Sequence, residues 1–124
     1  MKPPVKILSN VSIKLAGVTF KNCYVEATVY ARSEKRIALQ VFQIDHNFVD
    51  VVAIATVNMP EHPCPPDEIY VKDWSENEGM TEFLVNHRII SPKVEHYVTT
   101  GFVHVSRHKL TPAVWQKVET LIKE

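Results

Sequence analysis

The sequence predicts an α+β domain, with a largely antiparallel sheet of about five to seven strands and two helices packed on one of its faces. Three observations predict it. Apolar residues recur at a period of two through the first half of the chain, a proline cluster then interrupts the pattern, and helix start signals appear only beyond it. At 124 residues the chain has the length of one domain, taken as residues 1–124, and can bury a core without disulfide staples.

The elements follow in order. Residues 10–16 alternate Val11, Ile13 and Leu15 with polar neighbours, the pattern of a half-buried strand, and Gly17 punctuates it. In residues 19–31, Cys23, Val25, Ala27, Val29 and Ala31 share one face, while Phe20, Tyr24 and Tyr30 lie on the other. A charged turn at 33–35 leads into a third strand at 36–44, with Ile37, Leu39 and Val41 facing one way. Asp45, His46 and Asn47 turn the chain into a fourth strand at 50–58. Its run from Val51 to Val57 is almost continuously apolar and β-branched, which predicts a central strand covered on both faces. Short turns make these strands antiparallel neighbours.

Pro60, Pro63, Pro65 and Pro66 make residues 59–67 a stiff loop, because each proline fixes φ and removes a donor. Ile69 and Val71 restore strand character at 68–73. Ser75 stands three residues before Glu78, the spacing of a capping box, and Met80, Phe83, Leu84 and His87 follow at helical spacing. Gly79 weakens this helix by about 1 kcal/mol relative to alanine, which suits a place of close backbone approach. Pro92 ends the segment, and residues 94–105 read as one or two short strands broken near Gly101. The second helix has Thr111 as cap, Pro112 at its first position, and Val114, Trp115, Val118, Leu121 and Ile122 along one face. Glu119 and Lys123 form an exposed pair on it.

Composition excludes several classes of function. Fourteen basic and fourteen acidic residues cancel, so no bulk field draws the chain to nucleic acid or an anionic membrane. Basic turns at Arg32, Lys35 and Arg36 and at Arg107, His108 and Lys109, with aromatics on the second strand, are the only nucleic-acid-like features, and such turns are ordinarily solvated. No apolar run approaches a membrane span, and residues 1–10 lack the pattern of a signal peptide. Cys23 and Cys64 are too few for a disulfide framework, so reduced thiols in a cytoplasmic protein are expected. Six histidines (His46, His62, His87, His96, His104 and His108) show no metal-motif spacing, and no cofactor or phosphate-binding motif is present. His87, on the apolar stripe of the first helix, reads as a core-edge histidine. Cys64 has no evident base beside it.

The least ordinary segment is Lys72-Asp73-Trp74-Ser75-Glu76-Asn77-Glu78-Gly79. It gathers three carboxylates, an amide, a hydroxyl and an indole where a strand hands over to a helix, a place that exposes backbone N–H groups between rigid elements. As a site, Trp74 would anchor a partner and the carboxylates would dock it or exchange protons. As structure, Glu76 and Glu78 would complement a helix start and Trp74 would cover the core.

Ile37-Ala38-Leu39-Gln40, Ala55-Thr56-Val57-Asn58-Met59-Pro60, the segment from Lys72 to Gly79, Ile89-Ile90-Ser91-Pro92 and Gly101-Phe102 together resemble a family of small uncharacterised proteins carried by bacterial mobile elements, plasmids and phages. The likeness spans residues 36–110, and Met59 stands where leucine is expected. It implies a cytoplasmic accessory protein of a mobile element or phage and carries over no catalytic residue. The resemblance and the motif together predict a non-enzymatic interaction or inhibitor protein with an unidentified protein partner, an anti-defence role being one form of it, with residues 72–79 as its docking site. The alternatives are a small enzyme or ligand-binding protein using Asp73, Glu76 or Glu78, and a homo-oligomeric module joined through a strand edge or aromatics.

Overall fold

In the computed structural model, which describes residues 2–31 and 33–123, seven strands form two antiparallel sheets. The larger holds Val5–Leu15 (β1), Val18–Tyr30 (β2), Ser33–Asp45 (β3) and Phe48–Ile54 (β4) in chain order. Each neighbouring pair is a hairpin, as the short turns predicted. The smaller holds Glu68–Val71 (β5), His96–Thr100 (β6) and Val103–Lys109 (β7), with β7 in the centre. The expected α+β class is observed. The expected single sheet is not, because the chain divides its strands four and three.

The seam between the sheets is built by residues 55–57. The Ala55 N–H donates to Leu39 O at 2.8 Å, while the Lys72 N–H donates to Ala55 O at 2.9 Å and the Val57 N–H to Tyr70 O at 3.1 Å. The predicted fourth strand thus serves β3 with its first part and β5 with its last.

One face of the large sheet carries Ile13, Leu15, Cys23, Val25, Ala27, Ile37, Leu39 and Val41, all nearly sealed from solvent. Two short helices, Met80–Asn86 (α1) and Pro112–Val118 (α2), deliver Met80, Phe83, Leu84, Val114 and Val118 to the same core, and β5 adds Ile69 and Val71. A smaller apolar cluster lies across the small sheet, where Tyr70, Val98 and Val105 are overlaid by Val57, Met59, Cys64, Trp74 and Val103. Helix α2 begins with Pro112 after Thr111 as expected, but the threonine hydroxyl donates to Arg88 O at 2.7 Å rather than capping its own helix. The Glu119–Lys123 pair forms at 3.1 Å.

Two expectations fail here. Strand β4 is the edge of the large sheet, and of its seven residues only Ala53 is buried. It is neither central nor doubly covered. The capping box does not form either: Ser75–Asn77 is a single 3-10 turn, and α1 starts at Met80 with Gly79 before it. Arg32, in one of the predicted basic turns, lies outside the described residues, and β3 already begins at Ser33.

Candidate functional site

Asp73 organises the predicted motif. Its Oδ1 accepts the Gly79 N–H and its Oδ2 the Thr81 N–H, each at 2.9 Å, so it satisfies the start of α1 from outside the helix. This role was predicted for Ser75, which instead holds φ at +52° in the turn and is exposed. Asn77 is buried, and its Nδ2 donates to Ile54 O at 2.7 Å and Lys72 O at 3.1 Å. Gly79 has φ +105°, and a Cβ there would stand 3.0 Å from Lys14 O. The close approach expected at this glycine is therefore to the β1 backbone.

The remaining side chains of the motif face outward in different degrees. Lys72 Nζ pairs with Glu76 Oε1 at 2.9 Å, and the hydrogen bond from Lys72 holds the Glu76 carboxyl below its ordinary value. Glu78 is exposed, and its main-chain carbonyl accepts the Ala16 N–H at 2.9 Å. Trp74 is half-buried against the cluster around Tyr70, Val98 and Val105. The three carboxylates do not form an acid–base pair: Asp73 has both oxygens engaged by backbone donors, and Glu76 is held ionised. Asp73, Asn77 and Gly79 build the joint, while Lys72, Ser75, Glu76 and Glu78 form its polar exterior.

The proline-rich loop is fixed by two arginines. Arg36 donates to Met59 O at 2.7 Å and His62 O at 2.5 Å. Arg107 Nε meets Glu68 Oε1 at 2.6 Å, with both side chains largely buried, and its Nη1 reaches Pro63 O at 3.0 Å. Tyr70 Oη donates to the same Pro63 carbonyl at 2.7 Å. Arg36 and Arg107, read from sequence as parts of two basic turns, are thus internal ties. Cys64 sits in this loop with Sγ 3.2 Å from Glu68 O, and burial pushes its thiol above the ordinary value, against the opposing pull of Arg36 and Arg107. The protonated thiol is a poor nucleophile.

The histidines are dispersed. His108 is the buried one, with Nδ1 3.0 Å from Ser91 O and Nε2 2.9 Å from Ser106 Oγ. In the neutral ring Nδ1 donates, since a carbonyl only accepts. His87 is exposed at the end of α1 and lies 4.6 Å from the Phe83 ring, between centroids. Among the described residues, no group of three or more His, Cys, Asp and Glu side chains is arranged to hold a metal ion. No helix there is long and apolar enough to cross a membrane. An open groove of about 900 Å³ runs between the end of α1 and the start of α2, with Val85, Ile90, Leu110 and Trp115 among its lining residues and Arg88 and Lys109 at its side. It contains none of the predicted site residues.

The feature that sequence reasoning missed is on the outer face of the large sheet. Strand pairing sets Tyr24 beside Phe42 and Phe42 beside Val51, with Ile44 beside Val49 in one flanking row and Gln40 beside Ile54 in the other. Val51 is 59% exposed, Val49 53%, Ile54 46% and Ile44 37%. Tyr24 and Phe42 stack at 5.1 Å and are half-buried. The patch is contiguous across β2, β3 and β4 and has no ionised side chain in its middle, and exposed apolar groups clustered inside a polar rim are the kind of surface that serves interaction. Its rim includes Lys6, whose Nζ lies 4.4 Å from the Tyr24 ring centroid, and Glu26, which pairs with Lys6 across β1 and β2. The predicted motif adjoins it, because Asn77 binds the carbonyl of Ile54. Two further aromatics stand out at hairpin ends, Phe48 and the fully exposed Phe102.

Comparisons with protein-family models, with curated proteins and with solved structures find no match to this chain.

Proposed function

We propose that the protein acts by binding another protein chain rather than by catalysis, and that its docking surface is the outer face of β3 and β4. The single observation carrying this reading is the bare apolar patch of Ile44, Val49, Val51 and Ile54 beside the Tyr24–Phe42 stack. Exposed β-branched side chains in one contiguous group have a cost in water that burial against a partner removes, at about 25 cal/mol per Å². The 72–79 segment is tied to the end of β4 through the Asn77 Nδ2 bond to Ile54 O, and its exposed Ser75, Glu76 and Glu78 with half-buried Lys72 and Trp74 are assigned a secondary contact with the partner.

The wider setting rests on the resemblance alone. Under it the protein is a cytoplasmic accessory factor of a mobile element or phage, and its partner belongs to the host or the element, with inhibition of a defence system as one such role. The enzymatic alternative draws less support, since both oxygens of Asp73 are engaged by backbone donors and Glu76 is paired with Lys72.

Affinity capture with three folded forms tests the reading: wild type, Val51→Lys/Ile54→Lys, and Trp74→Ala/Glu76→Ala. A discrete polypeptide retained by wild type, lost with the first variant and weakened with the second, is expected. Equal recovery by all three refutes the docking surface.

A further inference from the structure

We propose that the groove between the end of α1 and the start of α2 binds a small amphipathic anion, a molecule with a carboxylate head and an apolar body. This site is separate from the docking surface. The two helices pack on the inner face of the large sheet, whereas the patch on β3 and β4 is on its outer face.

The groove is held in shape by the chain itself. Helix α1 closes in a left-handed turn, in which the Arg88 N–H donates to Val85 O at 3.0 Å and the Ile89 N–H to Leu84 O at 2.9 Å. The chain then pairs with the end of β7, where Ile90 is bridged antiparallel to Leu110 and the Ser91 N–H donates to Lys109 O at 2.9 Å. Thr111 ties the two sides again, its N–H donating to Ile89 O at 3.0 Å and its hydroxyl to Arg88 O at 2.7 Å. Buried Ile90 and Leu110 give the groove an apolar base, and Val85 and Trp115 line it half-buried. Its volume of about 900 Å³ falls in the roughly 300–1,000 Å³ range of small-molecule clefts.

Arg88 is the residue that the fold does not account for. It holds φ at +57°, in the turn position that glycine ordinarily fills because a Cβ is unfavourable there. Its side chain is exposed, and the guanidinium makes no hydrogen bond or ion pair with the described residues. An arginine at this position weakens the turn relative to glycine and contributes no contact that offsets the loss. What it does supply is a cation at the side of an apolar groove.

Lys109 supplies a second. Glu68 stands opposite it in the β5–β7 ladder, but that carboxylate is taken by Arg107 at 2.6 Å, and the Lys109 ammonium also makes no ion pair with the described residues. Asp67 is the one acid among the described lining residues, so the cations outnumber it two to one. Two uncompensated cations beside an apolar base select a ligand that is negative at one end and apolar along its body. The planar guanidinium presents paired donors that match a carboxylate.

Isothermal titration calorimetry of the full chain with octanoate, octanol and octylammonium tests the inference. Octanoate is expected to bind one to one, with octanol roughly tenfold weaker and octylammonium weaker still. Arg88→Gly is the informative variant, because it relieves the left-handed turn while removing the cation. It should melt no lower than wild type and raise the octanoate dissociation constant roughly tenfold, with octanol changed by less than about twofold. Lys109→Gln should raise the octanoate constant by at least about threefold, and Lys117→Gln, an equal charge change on α2 outside the groove lining, by less than about twofold. In Trp74→Phe the indole of Trp115 is the only one left, and its emission should change along the same octanoate isotherm. If Arg88→Gly does not fold, Lys109→Gln carries the comparison alone. Absence of octanoate binding, equal affinity for the three head groups, a silent Trp115, wild-type affinity in either folded groove variant, or an equal loss with Lys117→Gln overturns the proposal. Capture by the sheet face is read separately with Val51→Lys/Ile54→Lys, so either site can fall without the other.

Discussion

Replacing Asp73 by alanine removes one carboxylate that serves two backbone donors, the N–H groups of Gly79 and Thr81, each 2.9 Å from a different oxygen. Loss of an N-terminal cap costs about 0.5–2 kcal/mol. A hydrogen bond to a charged group contributes about 1.5–3 kcal/mol, with exposed settings at the low end. Asp73 is half-buried, and water can reach part of the vacated space, so Asp73→Ala is expected to cost about 2 kcal/mol. For a domain of this size that lowers Tm by roughly 6–8 °C. Asp73→Asn keeps one acceptor and should lose about half as much. The assay is urea denaturation followed by far-ultraviolet circular dichroism, with unchanged m-values. Ser75→Ala, in contrast, should cost less than about 0.5 kcal/mol, because the serine makes no capping hydrogen bond. A costly Ser75→Ala beside a neutral Asp73→Ala would refute the reasoning and restore the capping box.

Further outcomes follow from the same joint and from the proline loop. Gly79→Ala places a Cβ 3.0 Å from Lys14 O at φ +105° and should destabilise by more than about 1 kcal/mol in the same denaturation experiment; a neutral result would mean the β1 contact is loose. Asn77→Ala leaves the Ile54 and Lys72 carbonyls without their donor at a buried position, and should cost about 2–3 kcal/mol by equilibrium unfolding. Arg107→Met strands Glu68, which is 5% exposed, and should cost about 3 kcal/mol and speed proteolysis within the 59–67 loop, whereas a stable, resistant variant would show the pair to be dispensable. Alkylation of Cys64 by iodoacetamide at neutral pH should run well below the rate of a free cysteine and recover in urea; labelling at the free rate in the folded protein would contradict the raised thiol.

Much of the fold was legible because period-two alternation survives wherever one side of a strand is dry and the other wet. The strands at β1 to β3 were read on that basis, their antiparallel order from the short turns between them, and the start of α2 from Thr111 and Pro112. The division into two sheets was not legible, since residues 55–57 belong to both and a continuous apolar run does not record which neighbour each residue serves. Strand β4 is the instructive case. Its lack of alternation was read as cover on both faces, yet Val49, Val51 and Ile54 stand in solvent. Hydrophobic patterning reports that a side chain is suited to burial, not which chain buries it. The joint at 72–79 was half legible: the unusual composition marked it, but local spacing favoured Ser75 as cap because nothing in sequence reveals that Asp73 reaches past the turn to Gly79 and Thr81.

The docking surface is tested most directly by a photo-crosslinking residue placed in turn at Ile44, Val49, Val51 and Ile54, and as controls at Gln116 on α2 and at Phe102, in cells that express the full chain. The account predicts one discrete adduct from the four sheet positions and none from the controls. Adducts confined to the control positions, or none from the sheet face, would contradict it.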